Sequence, residues 1–168
     1  MTLQRLVEEI DSLESKSISD LKKVLKNDSA VEFPWRQFLP EVLPKDEYHR
    51  KLLHSGGGYE VLLLVWPEGS ETLPHNHGSP ASHGVIRILK NNLGNSIYRK
   101  NGDKIMPVEE QVFREGDLIE IPNEMIHSMG NCSQKGFSVS LHVYAPQIID
   151  VTYWDPVKLV PRTNGSSD

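Results

Sequence analysis

The chain has 168 residues, close to one typical domain length, and enough to bury a core without disulfide staples. Lys and Arg number 18 against 23 Asp and Glu, a net charge of -5, which argues against a protein devoted to the nucleic-acid backbone. There is no apolar run of the ~18 residues that a membrane-spanning helix needs, and the acidic, amphipathic start MTLQRLVEEIDSLE is not a basic-then-apolar signal peptide. One cysteine, Cys132, excludes an intrachain disulfide and fits a reducing compartment. The expectation is one cytoplasmic domain with no nucleic acid and no membrane among its partners.

Leu3, Leu6, Val7, Ile10 and Leu13 recur at three- and four-residue spacing and predict an amphipathic helix. Ser17 or Ser19 can cap a second short helix with Leu21, Val24 and Leu25 on its face. Pro34, Pro40 and Pro44 then punctuate an irregular stretch holding Trp35 and Phe38, read as a segment wrapped on the domain. From Tyr59 the texture turns to strands: Tyr59–Trp66, Val85–Leu89, Ser96–Arg99, Val112–Phe113, Leu118–Ile121, Ser138–Tyr144 and Ile148–Trp154. Turn signals separate them, at Pro-Glu-Gly (67–69), Asn-Asn-Leu-Gly-Asn (91–95), Asn-Gly-Asp (101–103) and Glu-Gly-Asp (115–117). Short strands at such intervals predict a sandwich or small barrel. The division expected is a helical segment over 1–45, a barrel over 46–156 and a frayed polar tail over 157–168, in a single domain.

Three histidines carry the chemistry. His75 and His77 form an H-x-H pair, and a strand places side chains two apart on one face, so both rings can converge on one metal. His127, at the end of another strand-like run, can supply a third ligand. Imidazole suits iron, zinc, copper or nickel, so ligand type alone does not choose among them. Taken bare, the pair also reads as two exposed loop histidines behind Pro74. Strand periodicity further puts Ser140, His142 and Tyr144 on one face and Val139, Leu141 and Val143 on the other. That is either a solvated face or a polar, titratable inner face opposite an aliphatic outer one.

The wider spacing resembles two known motifs. Gly69, five residues, then His75-Asn-His77 is similar to the opening of the first cupin motif; Gly116, five residues, Pro122, then His127 and Asn131 is similar to the second. Two departures stand out: Glu124 occupies the second motif's glycine position, and no glutamate ligand follows His77 in Gly78-Ser-Pro-Ala-Ser-His-Gly84. Three neutral ligands would leave the metal its full positive charge and an open face, favouring an anionic ligand such as a thiolate. Together with Tyr48-His-Arg50 and the run Ser138-Val-Ser-Leu-His-Val-Tyr-Ala-Pro146, these residues resemble the cysteine dioxygenase family of cupins from about Tyr48 to Pro146.

The resemblance implies a mostly β cupin barrel, a double-stranded β-helix or jelly roll, behind N-terminal α-helices. It implies iron(II) on His75, His77 and His127, with L-cysteine and O2 converted to cysteine sulfinic acid. It implies that Tyr144 aims its hydroxyl at the substrate, that His142 orients Tyr144, and that Ser140 orients His142. The arginine of the Tyr48-x-Arg50 segment would bind the cysteine carboxylate, bidentately as only a guanidinium can; the bland alternative is a surface arginine. Arg87 should face away if Gly84, on the same strand, faces the site. Animal members carry a cysteine where Gly84 stands, crosslinked to the relay tyrosine, so a free phenol is expected here. The loop from His77 to Gly84 is two residues longer than expected, and its His83 reads as a site-mouth or a surface residue; His49 and His54 read as structural or exposed. The rivals are a 3-mercaptopropionate dioxygenase on the same scaffold, which Arg50 disfavours, a non-catalytic cupin sensor, and a zinc or manganese isomerase-type cupin. A monomer or weak dimer is the assembly expected.

Overall fold

Two short helices open the chain, α1 (Leu3–Asp11) and α2 (Ile18–Lys26), as the apolar spacing predicts, in a computed structural model that describes residues 2–27, 32–78 and 82–155. Thr2 caps α1 by accepting from the Arg5 N–H, and Ser17, rather than Ser19, caps α2 by accepting from the Asp20 N–H at 3.2 Å. Asp20 in the first turn of α2 and Lys23 and Lys26 in its last complement the helix dipole. The proline-rich stretch packs as expected: a 3-10 turn at Trp35–Phe38 buries Trp35 against the helices.

Ten strands follow: β1 (His49–Gly56), β2 (Tyr59–Trp66), β3 (His75–Asn76), β4 (His83–Lys90), β5 (Leu93–Asn101), β6 (Lys104–Phe113), β7 (Leu118–Ile121), β8 (Ile126–Asn131), β9 (Ser138–Ala145) and β10 (Thr152–Tyr153). They form two antiparallel five-stranded sheets, ordered β1-β2-β9-β4-β7 and β10-β3-β8-β5-β6. The architecture is the expected mostly β cupin fold with N-terminal helices.

Every residue of β2 and of β9 is buried. Side-chain alternation splits each strand between two cores. Val61, Leu63, Val139, Leu141 and Val143 point to a layer shared with Leu6, Ile10, Leu21 and Leu25 of the helices. Leu62, Leu64, Trp66, Ile86, Ile88 and Tyr144 point into the barrel with Ile119, Ile121 and Met129. The aliphatic face of β9, expected as an outer surface, is therefore covered by α1 and α2. That cover explains why β2 reads as an unbroken apolar run rather than an alternating one.

Three sequence expectations need correction, and one strand carries no signal in the sequence. The Ile148–Trp154 strand shrinks to Thr152–Tyr153, because Ile148 spends its N–H on the Glu60 carboxylate instead of a sheet partner. The Asn91–Asn95 turn ends at Asn92; Leu93 already pairs with Phe113 and Asn131, and Asn95 is a buried strand residue. Val112–Phe113 is only the tip of the ten-residue β6, whose exposed, polar middle shows no apolar alternation. The edge strand β1 likewise has no strand signal beyond its pairing with β2. The tail over 157–168 lies outside the described residues.

Candidate metal centre and its cavity

β3 and β8 pair so that His75 lies directly opposite His127, and His77 follows two residues beyond His75. The three side chains bring one ligand nitrogen each to within 4.8 Å of one another, the geometry of a group that can hold a metal ion; no carboxylate joins them among the described residues. Two of the rings are oriented from behind. His75 donates from Nδ1 to the Leu73 carbonyl at 2.8 Å, and His127 donates from Nδ1 to the Asn95 side-chain oxygen at 2.8 Å. A carbonyl or amide oxygen only accepts, so both Nδ1 atoms carry the proton and both Nε2 atoms are left with a bare lone pair. The Nε2 of His127 is buried and has no hydrogen-bond partner among the described residues. A buried, unpaired acceptor beside two more imidazoles fits a metal ion of the iron, zinc, copper or nickel type.

The electrostatics point the same way. Burial holds the basicity of His75 down, carries His77 down to about 3 with help from His75, and keeps His127 well below the ordinary imidazole range. All three therefore stay neutral, the form that coordinates.

The rings form one side of a cavity of about 350 Å³, whose other walls include Tyr48, Arg50, Trp66, His142 and Tyr144. Tyr144 stands edge-on to His77, ring centroids 4.6 Å apart. Its hydroxyl meets His142 Nδ1 at 3.1 Å, and His142 Nε2 meets Ser140 Oγ at 2.7 Å, so the face read from strand periodicity is an interior one. Burial lowers His142 to about 3 and, with the negative Glu60 nearby, raises the Tyr144 phenol, which stays protonated. Arg50 sits on β1 opposite Leu64, with its side chain 48% exposed and its Nη2 donating to Glu60 Oε1 at 3.4 Å. Tyr48 stacks on Trp66 at 4.9 Å, and burial raises its phenol too. Every residue expected at the site thus lies on this cavity or, for Ser140, bonds directly to a residue that does.

The neighbours of the site sort as follows. Gly84 pairs with Tyr144, and a Cβ there would stand 2.5 Å from the tyrosine ring and 2.5 Å from the Val143 carbonyl, so glycine lets β4 approach the phenol. Cys132 is exposed, next to Gly94. Arg87 faces away, as expected, and donates to the Leu25 carbonyl at the end of α2. His83 does not line the metal cavity: it is half-buried near the surface, with its ring 2.6 Å from the Lys16 carbonyl between the helices. His54 packs its ring, tilted by 32°, against Tyr59, and residues 79–81 of the longer loop lie outside the described residues.

Sequence reading missed four contributors: Glu60, Trp66, Asn95 and the apolar lip of Ile148, Ile149, Val151 and Tyr153. Glu60 had a signal, being the one charge inside the apolar run of β2. Trp66 had one as well, since it shares the inward parity of Leu62 and Leu64. Asn95 had none, lying in what reads as a turn.

Over residues 1–156 the sequence matches the family described as "Cysteine dioxygenase type I". The chain belongs to the cysteine dioxygenase type I family. Within it, the chain is 30% identical over 104 residues to cysteine dioxygenase type 1 of Homo sapiens, covering 59% of this chain and 51% of that protein. It is 24% identical over 149 residues to the protein of the same name from Rattus norvegicus, covering 86% and 72%. The match to the human relative thus spans about half of that protein's length. In fold, the chain is similar to an uncharacterized conserved protein with a double-stranded β-helix domain from Klebsiella pneumoniae, at 13% identity and a TM-score of 0.53 over 73% of this chain and 96% of that one. No helix among the described residues is long and apolar enough to cross a membrane.

Proposed function

We propose that this protein is a non-haem iron(II) thiol dioxygenase that converts L-cysteine and O2 to cysteine sulfinic acid, both oxygen atoms ending on sulfur. The observation that carries the reading is the set of imidazoles converging within 4.8 Å on a cavity whose walls also hold a guanidinium and a phenol. His75, His77 and His127 would hold the iron. When bound, iron supplies a Lewis acid that deprotonates a coordinated thiol and a redox centre that activates O2.

The chain's own residues position and protonate. Arg50, half-exposed at the cavity wall, presents a planar donor fork that matches the cysteine carboxylate. Glu60 accepts from one end of that fork, the Nη2, at 3.4 Å, and leaves its other donors for a substrate. Tyr144 keeps a protonated hydroxyl over the histidines, and His142 and Ser140 fix its direction. The apolar lip from Ile148 to Tyr153 shields the cavity mouth and strengthens each of these polar contacts. Holding sulfur, amine and carboxylate at once supplies selectivity, because an analogue lacking one group leaves a partner in the cavity wall unpaired.

The test is oxygen uptake by the iron(II)-loaded protein with sulfinate quantified, offering L-cysteine and 3-mercaptopropionate side by side. Faster uptake with L-cysteine and a matching yield of cysteine sulfinate is expected. Preference for 3-mercaptopropionate would keep the metal centre and overturn the substrate. Uptake with neither, at full iron occupancy, would favour a non-catalytic cupin.

A further inference from the structure

The relay behind Tyr144 has a fourth member. Trp66, at the end of β2, donates from its indole Nε1 to Ser140 Oγ at 2.8 Å. Trp66, Ser140, His142 and Tyr144 are all buried, at 1%, 0%, 3% and 3% exposure, and the indole is held in place by Tyr48 stacked on it at 4.9 Å. The only contacts of Ser140 Oγ among the described residues are Trp66 Nε1 and His142 Nε2.

An indole N–H donates and never accepts. If His142 also donated to Ser140, from Nε2, the serine oxygen would take two donors and its own hydrogen would be left in a dry site with no acceptor, an unmade bond that buried hydroxyls avoid. The satisfied arrangement runs one way. Trp66 donates to Ser140, Ser140 donates to His142 Nε2, and the remaining ring proton of His142 sits on Nδ1 and is donated to the Tyr144 oxygen. With its lone pair so engaged, the tyrosine has its own hydrogen free to point into the cavity.

We infer that Trp66 is a positioning residue that sets the direction of the Ser140–His142–Tyr144 chain, holding His142 as the Nδ1–H tautomer and turning Tyr144 into a donor toward whatever occupies the cavity. The tautomer follows from hydrogen-bond accounting alone; its catalytic consequence rests on the dioxygenase reading above. Without the indole donor, Ser140 can accept from His142 Nε2, the ring can take the other tautomer, and Tyr144 can turn its hydrogen back toward His142 Nδ1 and away from the cavity.

The experiment is nitrogen-15 NMR of the histidine-labelled full chain loaded with zinc(II), a diamagnetic stand-in, read for the protonation site of His142. The wild-type protein is expected to show Nδ1–H; a His142 protonated at Nε2 overturns the inference, and this arm needs no variant. In Trp66→Phe, which keeps a flat ring on Tyr48, a substantial Nε2–H population is expected; an unchanged Nδ1–H signal overturns it. In the iron(II)-loaded enzyme, Trp66→Phe should lower kcat for L-cysteine about tenfold with KM little changed, and should cost nothing further in a Ser140→Ala background. Full additivity of the two losses would place Trp66 outside the relay. If Tyr144→Phe itself turns over at the wild-type rate, the catalytic reading of the relay falls while the tautomer result stands.

Discussion

Arg50 and Tyr144 approach the cavity from different strands and ask for different kinetic signatures. Arg50 makes one weak contact with Glu60 and is otherwise available, so its loss should remove binding to a carboxylate and little else. Arg50→Ala is expected to raise KM for L-cysteine about 10- to 100-fold, the equivalent of losing a charge-assisted hydrogen-bond pair. For 2-aminoethanethiol, which has no carboxylate, KM should barely move, and steady-state oxygen uptake with both thiols checks the contrast. Equal losses for the two would remove Arg50 from the substrate role. Tyr144 is the opposite case, since its hydroxyl is buried over the histidines and raised in pKa, a donor rather than a base. Tyr144→Phe should leave iron content unchanged while turnover falls roughly 100-fold, or while oxygen is consumed without matching sulfinate. Iron analysis beside a product-to-oxygen ratio separates these outcomes, and a wild-type rate at full coupling would exclude Tyr144 from the chemistry.

Between strands, Glu124 shows how the sequence departs from its own motif. It occupies the glycine position of the second motif, in the turn from β7 to β8, and takes φ +66°, the left-handed region. A side chain there costs about 1–2 kcal/mol, while glycine returns about 0.5–1 kcal/mol of unfolded-chain entropy to the cost of folding. Glu124→Gly should therefore stabilise the protein by about 0.5–1 kcal/mol, a rise in Tm of a few degrees for a chain of this size. A calorimetric scan checks it, and a Tm that falls would mean that contacts of the Glu124 side chain outweigh the strain. The same scale decides what could be read in advance. β2, β7 and β9 were legible because burial is written into them as apolar or alternating runs, and Ser140, His142 and Tyr144 because a polar face on a buried strand is anomalous. The long β6 was not, because an exposed edge strand needs no apolar pattern. Asn95 was hidden because asparagine beside glycine reads as a turn, and only the pairing of β5 with β8 brings it to His127.

For the whole molecule, the histidine cluster is also an acid-sensitive part of the core. The second core places His77 and His142 among apolar side chains, where burial keeps them neutral with pKa values down to about 3, against about 6.5 for a free imidazole. Above pH 6.5 the imidazoles are neutral in the folded and the unfolded chain alike, and they add no slope to stability. As pH falls below 6.5, the unfolded chain takes up protons that the folded chain excludes. Stability must then decline, at up to about 1.4 kcal/mol per pH unit for each such ring, until the folded state begins to protonate near pH 3. His75 and His127 are shifted in the same direction and add to the loss. Urea midpoints of the chelator-stripped protein should therefore drop as pH falls from about 6.5 to 5, and a midpoint that stays level would mean that these rings protonate in place without unfolding. A metal ion such as iron(II) held by these neutral, assembled histidines would add stability to the folded chain alone. At a hundredfold excess over Kd it contributes about 2.7 kcal/mol. Because burial keeps these rings unprotonated in the folded chain, acid does not compete for their nitrogens there, and loaded and stripped midpoints should fall in parallel between pH 7 and pH 5. A separation that closes within this range would mean that the rings take up protons in the folded protein, against the neutral state that burial imposes.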